Sequence, residues 1–297
     1  MRQKPSAKIK KLIGGYTMEY KIISDSSSDI VKLSGVPFAN VPLKIITSEK
    51  EYVDTADLDV SGMLSDLEQY KGRSSSSCPN PEEWKEAFDQ AENVFCVTIT
   101  SGLSGSCNCA RISAEEYTAE HPDRNAFVVD SLSTGPENAL LIEKLRDLML
   151  EKLPFEEIKN KILEYKSRTH LVFALESMHN LANNGRVSPL VAKIAGVLGI
   201  RVVGVASNEG TLEVKEKVRG VQKTVTTIIE NMKKGGFAGG KVRIHHCENP
   251  STMKAVKEAI LKAFPTARIE TALTRGLCSY YAERGGILVG YEGALKA

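Results

Sequence analysis

Val94-Phe95-Cys96-Val97-Thr98-Ile99-Thr100-Ser101-Gly102-Leu103-Ser104-Gly105-Ser106 runs from an apolar segment straight into hydroxyl residues and glycines. A helix-like pattern follows, from about 105 to 119. The order reads as buried strand, tight loop, helix N-terminus. Such a loop offers hydroxyls and free backbone N–H groups at the positive end of a helix dipole, which suits an anionic group. Two further hydroxyl clusters frame it. Asp25-Ser26-Ser27-Ser28-Asp29 follows the strand-like Tyr20–Ser24, and Ser74-Ser75-Ser76-Ser77 precedes Cys78-Pro79-Asn80-Pro81. Three such loops at strand ends suggest one shared site for an acidic head group.

Outward from this stretch, strand and helix patterns alternate. Val41–Ile46 and Ala126–Asp130 read as strands. Pro81–Glu92, 137–152 and Pro154 to Arg168 read as helices, with Leu140, Leu141, Leu145 and Leu148 on the buried side of the second. This β-α-β-α order predicts a parallel sheet covered by helices on both faces, with ligands at the carboxyl ends of its strands. After residue 168 the pattern changes. Strands at 171–176, 200–206, 212–218, 241–247, 267–273 and 287–291 mix with helices at 177–183, 219–234 and 251–263. The expectation is two domains: an N-terminal α/β domain over 18–168 and a C-terminal α+β domain with a mixed sheet over 169–297. Residues 1–17 read as a disordered extension or an upstream start. Their lysines and arginine leave a membrane-surface role open, but no apolar run follows them as a secretory signal requires.

Composition narrows the function classes. A net charge of +2 provides no broad basic field for nucleic acid. No apolar run approaches the roughly 20 residues of a membrane span. Six cysteines without a CxxC pair suit reduced thiols in a cytoplasm, and no metal site or cofactor is expected. The Thr100–Ser106 loop could be a capped turn, but four hydroxyls exceed what a cap needs. Ser104 lacks the second glycine of the Gly-x-Ser-x-Gly elbow of a serine hydrolase. Ser74–Ser77 is anchored by Pro79 and Pro81 and reads as an ordered ligand loop. Arg186, after Asn184-Gly185, either closes a surface turn or balances a buried acid. His245 and His246 face opposite sides of a strand and do not chelate.

In order and spacing these pieces resemble the DegV family, bacterial fatty-acid-binding proteins that act as acyl carriers to a fatty acid kinase. Asp25–Asp29 is similar to the family's DSTSD, Ser76–Pro81 to TSQPSP, and Thr100–Ser106 to SSGLSGT. Asp130-Ser131 fits the DS that follows, Asn184–Ser188 is similar to GGRIS, and Lys217–Gly220 to KVRG. The resemblance spans Tyr20 to Tyr291. It implies a long-chain fatty acid, palmitate- or oleate-like, with its tail in an apolar tunnel and its carboxylate held by the hydroxyl loops. It also implies a carrier without catalysis of its own and a separate kinase catalytic subunit as partner. Carried over, the ligand-binding residues are Ser76, Thr100, Ser101, Gly102, Ser104, Gly105, Arg186 and Tyr281, supported by Asp25, Ser26, Ser27 and Ser131. Tyr281 stands where the family has the histidine of HxGxG. A phenol donates a hydrogen bond but is not cationic at neutral pH. Cys78 and Asn80 replace a glutamine and a serine of the family pattern.

Fatty-acid binding would draw on tail burial. Each buried methylene gains about 0.8 kcal/mol, so some fourteen gain on the order of 10 kcal/mol before ordering costs. The small-residue run at 190–199 could line or cover a tunnel, or simply fill a core. Two other readings remain at this stage: a serine hydrolase or acyltransferase using Ser101 or Ser104, and a binding module for a different acidic metabolite.

Overall fold

A computed structural model describes residues 20–188 and 199–296. The 190–198 part of the small-residue run and the 1–17 extension lie outside the described residues.

The first layer follows from alternation along two strands. In β1 (Tyr20–Asp25), Ile22 faces one core and Ile23 the other. Next to it, β6 (Asn93–Thr98) sends Phe95 and Val97 to the first core and Val94 and Cys96 to the second. Successive strand residues point to opposite faces, and a strand covered on both faces is apolar throughout. With β2 (Phe38–Val41) and β7 (Asn125–Asp130) these strands form a parallel sheet in the order β2-β1-β6-β7. Helices α2 (Pro81–Phe88) and α3 (Ser106–Glu120) bring Trp84, Phe88 and Ala110 to one face. Helices α4 (Pro136–Leu150) and α5 (Phe155–Lys166) bring Leu141, Leu145 and Ile158 to the other.

The single strand expected over Val41–Ile46 does not form. Strand β2 ends at Val41, Pro42 has no N–H to continue the ladder, and the chain leaves the sheet. It then builds a small antiparallel sheet, β4-β3-β5, from β3 (Lys44–Ile46), β4 (Glu51–Val53) and β5 (Ser75–Ser77). The serine run expected as a loop is therefore an edge strand, with Ser76 paired to Ile45. Between β4 and β5 lies α1 (Val60–Gln69), started by the Asp59 side chain accepting from Gly62 N. Neither α1 nor β4 was read from the sequence.

The second large sheet has the order β10-β9-β8-β13-β11-β12. Its strands are β8 (Thr169–Leu175), β9 (Ile200–Ala206), β10 (Leu212–Arg219), β11 (Gly240–His246), β12 (Ala267–Leu273) and β13 (Ile287–Glu292). Only β11 and β12 pair in parallel, so the sheet is mixed as expected. Helix α6 (His179–Asn183) follows β8. Helices α7 (Gly220–Lys234) and α8 (Pro250–Ala263) cover one face of the sheet, meeting Val172 and Ala174 of β8. Leu171, Phe173 and Leu175 of the same strand face the other way, toward Ile45, Met63 and Leu64. That core therefore draws on both halves of the chain. Helix α9 (Gly276–Ala282), also unread in the sequence, adds Tyr280 and Ala282 to it.

Helix α4 lies between the two large sheets, and Glu137 and Asn138 at its start are fully buried. Thr169 Oγ1 and Lys296 Nζ each donate to Glu137 at 2.8 Å, and Asn138 donates to Ser27 Oγ.

Candidate functional site

Asp25 sits at the carboxyl end of β1 and is fully buried. Ser27 Oγ donates to it at 2.5 Å, Ser106 Oγ at 2.6 Å and Ile99 N at 2.9 Å. Burial pushes its carboxyl up, and these donors pull it back. Ser26 Oγ accepts from Leu43 N, and Ser131 closes a turn with Ser133. The Asp25–Asp29 and Ser131 hydroxyls thus form a buried scaffold, and none of them lines the cavity beside it.

Two more aspartates aim helix α9. Asp29, in the left-handed region at φ 60°, accepts from Arg275 N and meets His245 Nδ1, both at 2.7 Å. Asp54 Oδ1 and Oδ2 accept from Gly276 N and Leu277 N, each at 2.8 Å. Burial pushes the Asp54 carboxyl up to about 6, against these hydrogen bonds. Pinned in this way, α9 delivers Leu277, Cys278, Tyr281 and Ala282 to a cavity of about 280 Å³. Ligand pockets span roughly 300–1,000 Å³, so this one is at the small end.

The cavity is two-sided in chemistry. At its polar part stand Ser76, Ser77, Cys78, Ser104, Gly105, Arg186 and Tyr281. Ser76 Oγ and the Tyr281 hydroxyl lie 2.6 Å apart. Burial pushes the Tyr281 phenol up, so it keeps its proton at neutral pH. Arg186 sits 5.9 Å over the Tyr281 ring and donates to Leu103 O and Asn184 O. A guanidinium has five donors, and these carbonyls take two. Gly105 both lines the cavity and is exposed, so the polar part meets solvent. The rest of the wall is mainly apolar, with Thr134 and Cys278 as exceptions: Leu43, Ile99 and Leu277 come from one hydrophobic cluster, and Leu171, Phe173, Leu175, Leu212 and Leu288 from another.

The structure separates the residues of the glycine-rich loop. Ser104 and Gly105 face the cavity, while Thr100, Ser101 and Gly102 are not among its lining residues. Thr100 is buried and donates to Gly210 O at 2.8 Å, tying the loop to the turn between β9 and β10. Gly102 packs on that same turn, where a Cβ would lie 2.9 Å from Gly210 O. Ser101 is exposed, and its backbone N–H donates to Asp130 Oδ1. Sequence reasoning missed the β8 stripe and Leu288 as cavity wall, because a strand facing a cavity carries the same side chains as one facing a core.

No histidine among the described residues hydrogen-bonds a serine of this loop. Among the described residues, His170 bonds Ala294 O, His179 bonds Asn183, His245 bonds Asp29 and His246 bonds Asn249, while His121 rests on Tyr117. No group of three or more His, Cys, Asp or Glu suited to a metal occurs among the described residues. No helix among them is long and apolar enough to cross a membrane.

Similar proteins share this arrangement of chain. A DegV domain-containing protein of Streptococcus pyogenes serotype M1 is 43% identical over 279 residues, covering 93% of this chain and 100% of its own. A DegV family protein of Eubacterium eligens, solved loaded with heptadecanoic acid, is 42% identical with a TM-score of 0.91. The Fatty Acid Kinase (Fak) B3 protein of Streptococcus pneumoniae, solved loaded with linoleic acid, is 42% identical with the same TM-score. Both structures match over 93% of this chain and 100% of theirs. The family model described as "Uncharacterised protein, DegV family" matches residues 19–292, and with that span the chain belongs to the DegV family.

Proposed function

We propose that this protein binds one long-chain fatty acid and presents it to the catalytic subunit of a fatty acid kinase, with no chemistry of its own. The observation that carries the reading is the cavity's division. The Ser76, Ser77, Ser104 and Tyr281 hydroxyls and one guanidinium gather where it meets solvent, and leucines and a phenylalanine dominate the rest, where Thr134 adds a further hydroxyl. A buried carboxylate is costly unless hydrogen-bonded, and Ser76, Ser104, Arg186 and Tyr281 supply donors. A tail in the apolar part gains about 0.8 kcal/mol per methylene. Two relatives of matching fold hold a heptadecanoic and a linoleic acid. A head group at the solvent end also suits delivery, because a partner can reach it without extracting the tail. Six free cysteines fit a reducing cytoplasm, where a kinase finds ATP.

Native mass spectrometry of gently purified protein tests the reading. The expected result is an adduct of fatty-acid mass. Protein that arrives empty and also refuses added palmitate and oleate overturns it.

A further inference from the structure

We propose that Phe173 and Gly204 together form the gauge that sets how long a tail the cavity accepts, an inference that rests on the fatty-acid reading above. Phe173 is the largest side chain of the β8 stripe that lines the apolar part, and it is 2% exposed. In register, its neighbours across the sheet are Leu288 on β13 and Gly204 on β9. Directly opposed residues in a sheet share a face, so a side chain at 204 would rise beside the ring. There is none, and the ring lies over bare backbone. Phe173 Cζ and Cε2 are 2.3 and 2.8 Å from the point a Cβ at 204 would occupy. The backbone carbonyl of Glu213 on β10 lies 2.5 Å from the same point, so a side chain there has to move the ring and also press on the β10 main chain.

The niche over Gly204 therefore stores the end of the ring outside the path of a tail. Any side chain at 204 evicts the ring, and Phe173, held at its own Cα by two neighbouring strands, swings toward the cavity. A tail anchored by its carboxylate at the polar end is then stopped short. Removing the ring has the opposite effect and lets a longer tail lie along Leu171 and Leu288. Each methylene denied burial costs about fourfold in affinity.

The test is a titration of the delipidated full chain, Gly204→Ala and Phe173→Ala with saturated acids of twelve to twenty carbons. The best-bound length is expected to move down in Gly204→Ala and up in Phe173→Ala, by about two carbons or more, with affinity ratios between lengths changing at least about fourfold. Parental length preference in both variants overturns the gauge. Should Gly204→Ala give no cooperative melt, Phe173→Ala decides alone: a shift upward supports the gauge and an unchanged optimum overturns it. A parent that binds no acid of any length removes the fatty-acid reading itself, and a parent that binds with variants unmoved removes only the gauge.

Discussion

Asp25 and Tyr281 are both surrounded by serine hydroxyls, yet the two clusters behave as opposites. Around Asp25 every donor is spent inward: Ser27, Ser106 and Ile99 N all point at one buried carboxylate, and Asn138 locks Ser27 from behind. Around Tyr281 the groups face a cavity, and Ser76 and the phenol bond each other beside Arg186. A closed network rigidifies, and an open one can trade its internal bonds for those of a ligand. The difference teaches that hydroxyl-rich loops of similar composition divide into those that hold the chain and those that face a cavity. Position relative to the cavity, not residue type, decides which.

The sharpest way to break this contrast is Asp25→Ala. It strands three buried donors at once, and the expected loss is on the order of 3–5 kcal/mol of stability in urea denaturation. A loss below about 1 kcal/mol would mean that the Asp25 cluster does not cement the fold.

Asp54 links the two regions, because it pins the helix that carries Tyr281. Its folded value of about 6 lies above the roughly 3.9 of an unfolded aspartate. The folded state therefore holds this proton more tightly, and the contribution is full below about pH 4 and is lost as pH rises through about 6. Two units correspond to roughly 3 kcal/mol. Denaturation at pH 4 and pH 7 should show the parent losing about that much more than Asp54→Asn across the window. A parent-to-variant difference that is flat with pH would remove Asp54 as the source.

The smallest effects sharpen the open side. Tyr281→Phe is expected to weaken fatty-acid binding by roughly 1 kcal/mol, about fivefold, with the melting temperature nearly unchanged. Ser101→Ala, outside the cavity wall and exposed, is expected to leave affinity as it was. Equal losses in the two variants would place the carboxylate near Ser101 and redraw the boundary between the clusters.

Much of this was legible in one dimension. The 94–106 stretch declares strand, loop and helix because an apolar run of strand length meets a helix-starting loop, both local signals. The mixed second sheet was readable for the same reason. Ser75–Ser77 was not readable as a strand, since three serines carry no apolar alternation and their edge exists only because β3 pairs with it. Helix α9 was equally silent: its N-terminus is capped by Asp54, 222 residues away, rather than by a neighbour in sequence.

The order of motifs therefore determined the family resemblance, the α/β character and the cast of hydroxyl residues, because each is written in short-range pattern. Only tertiary structure decided that Ser76 meets Tyr281 across 205 residues, that Thr100 serves a turn of the other half, and that Phe173 folds down over Gly204. Such juxtapositions depend on how two sheets and a buried helix pack against one another, and close packing of that kind is a property of the whole chain, which no local window contains.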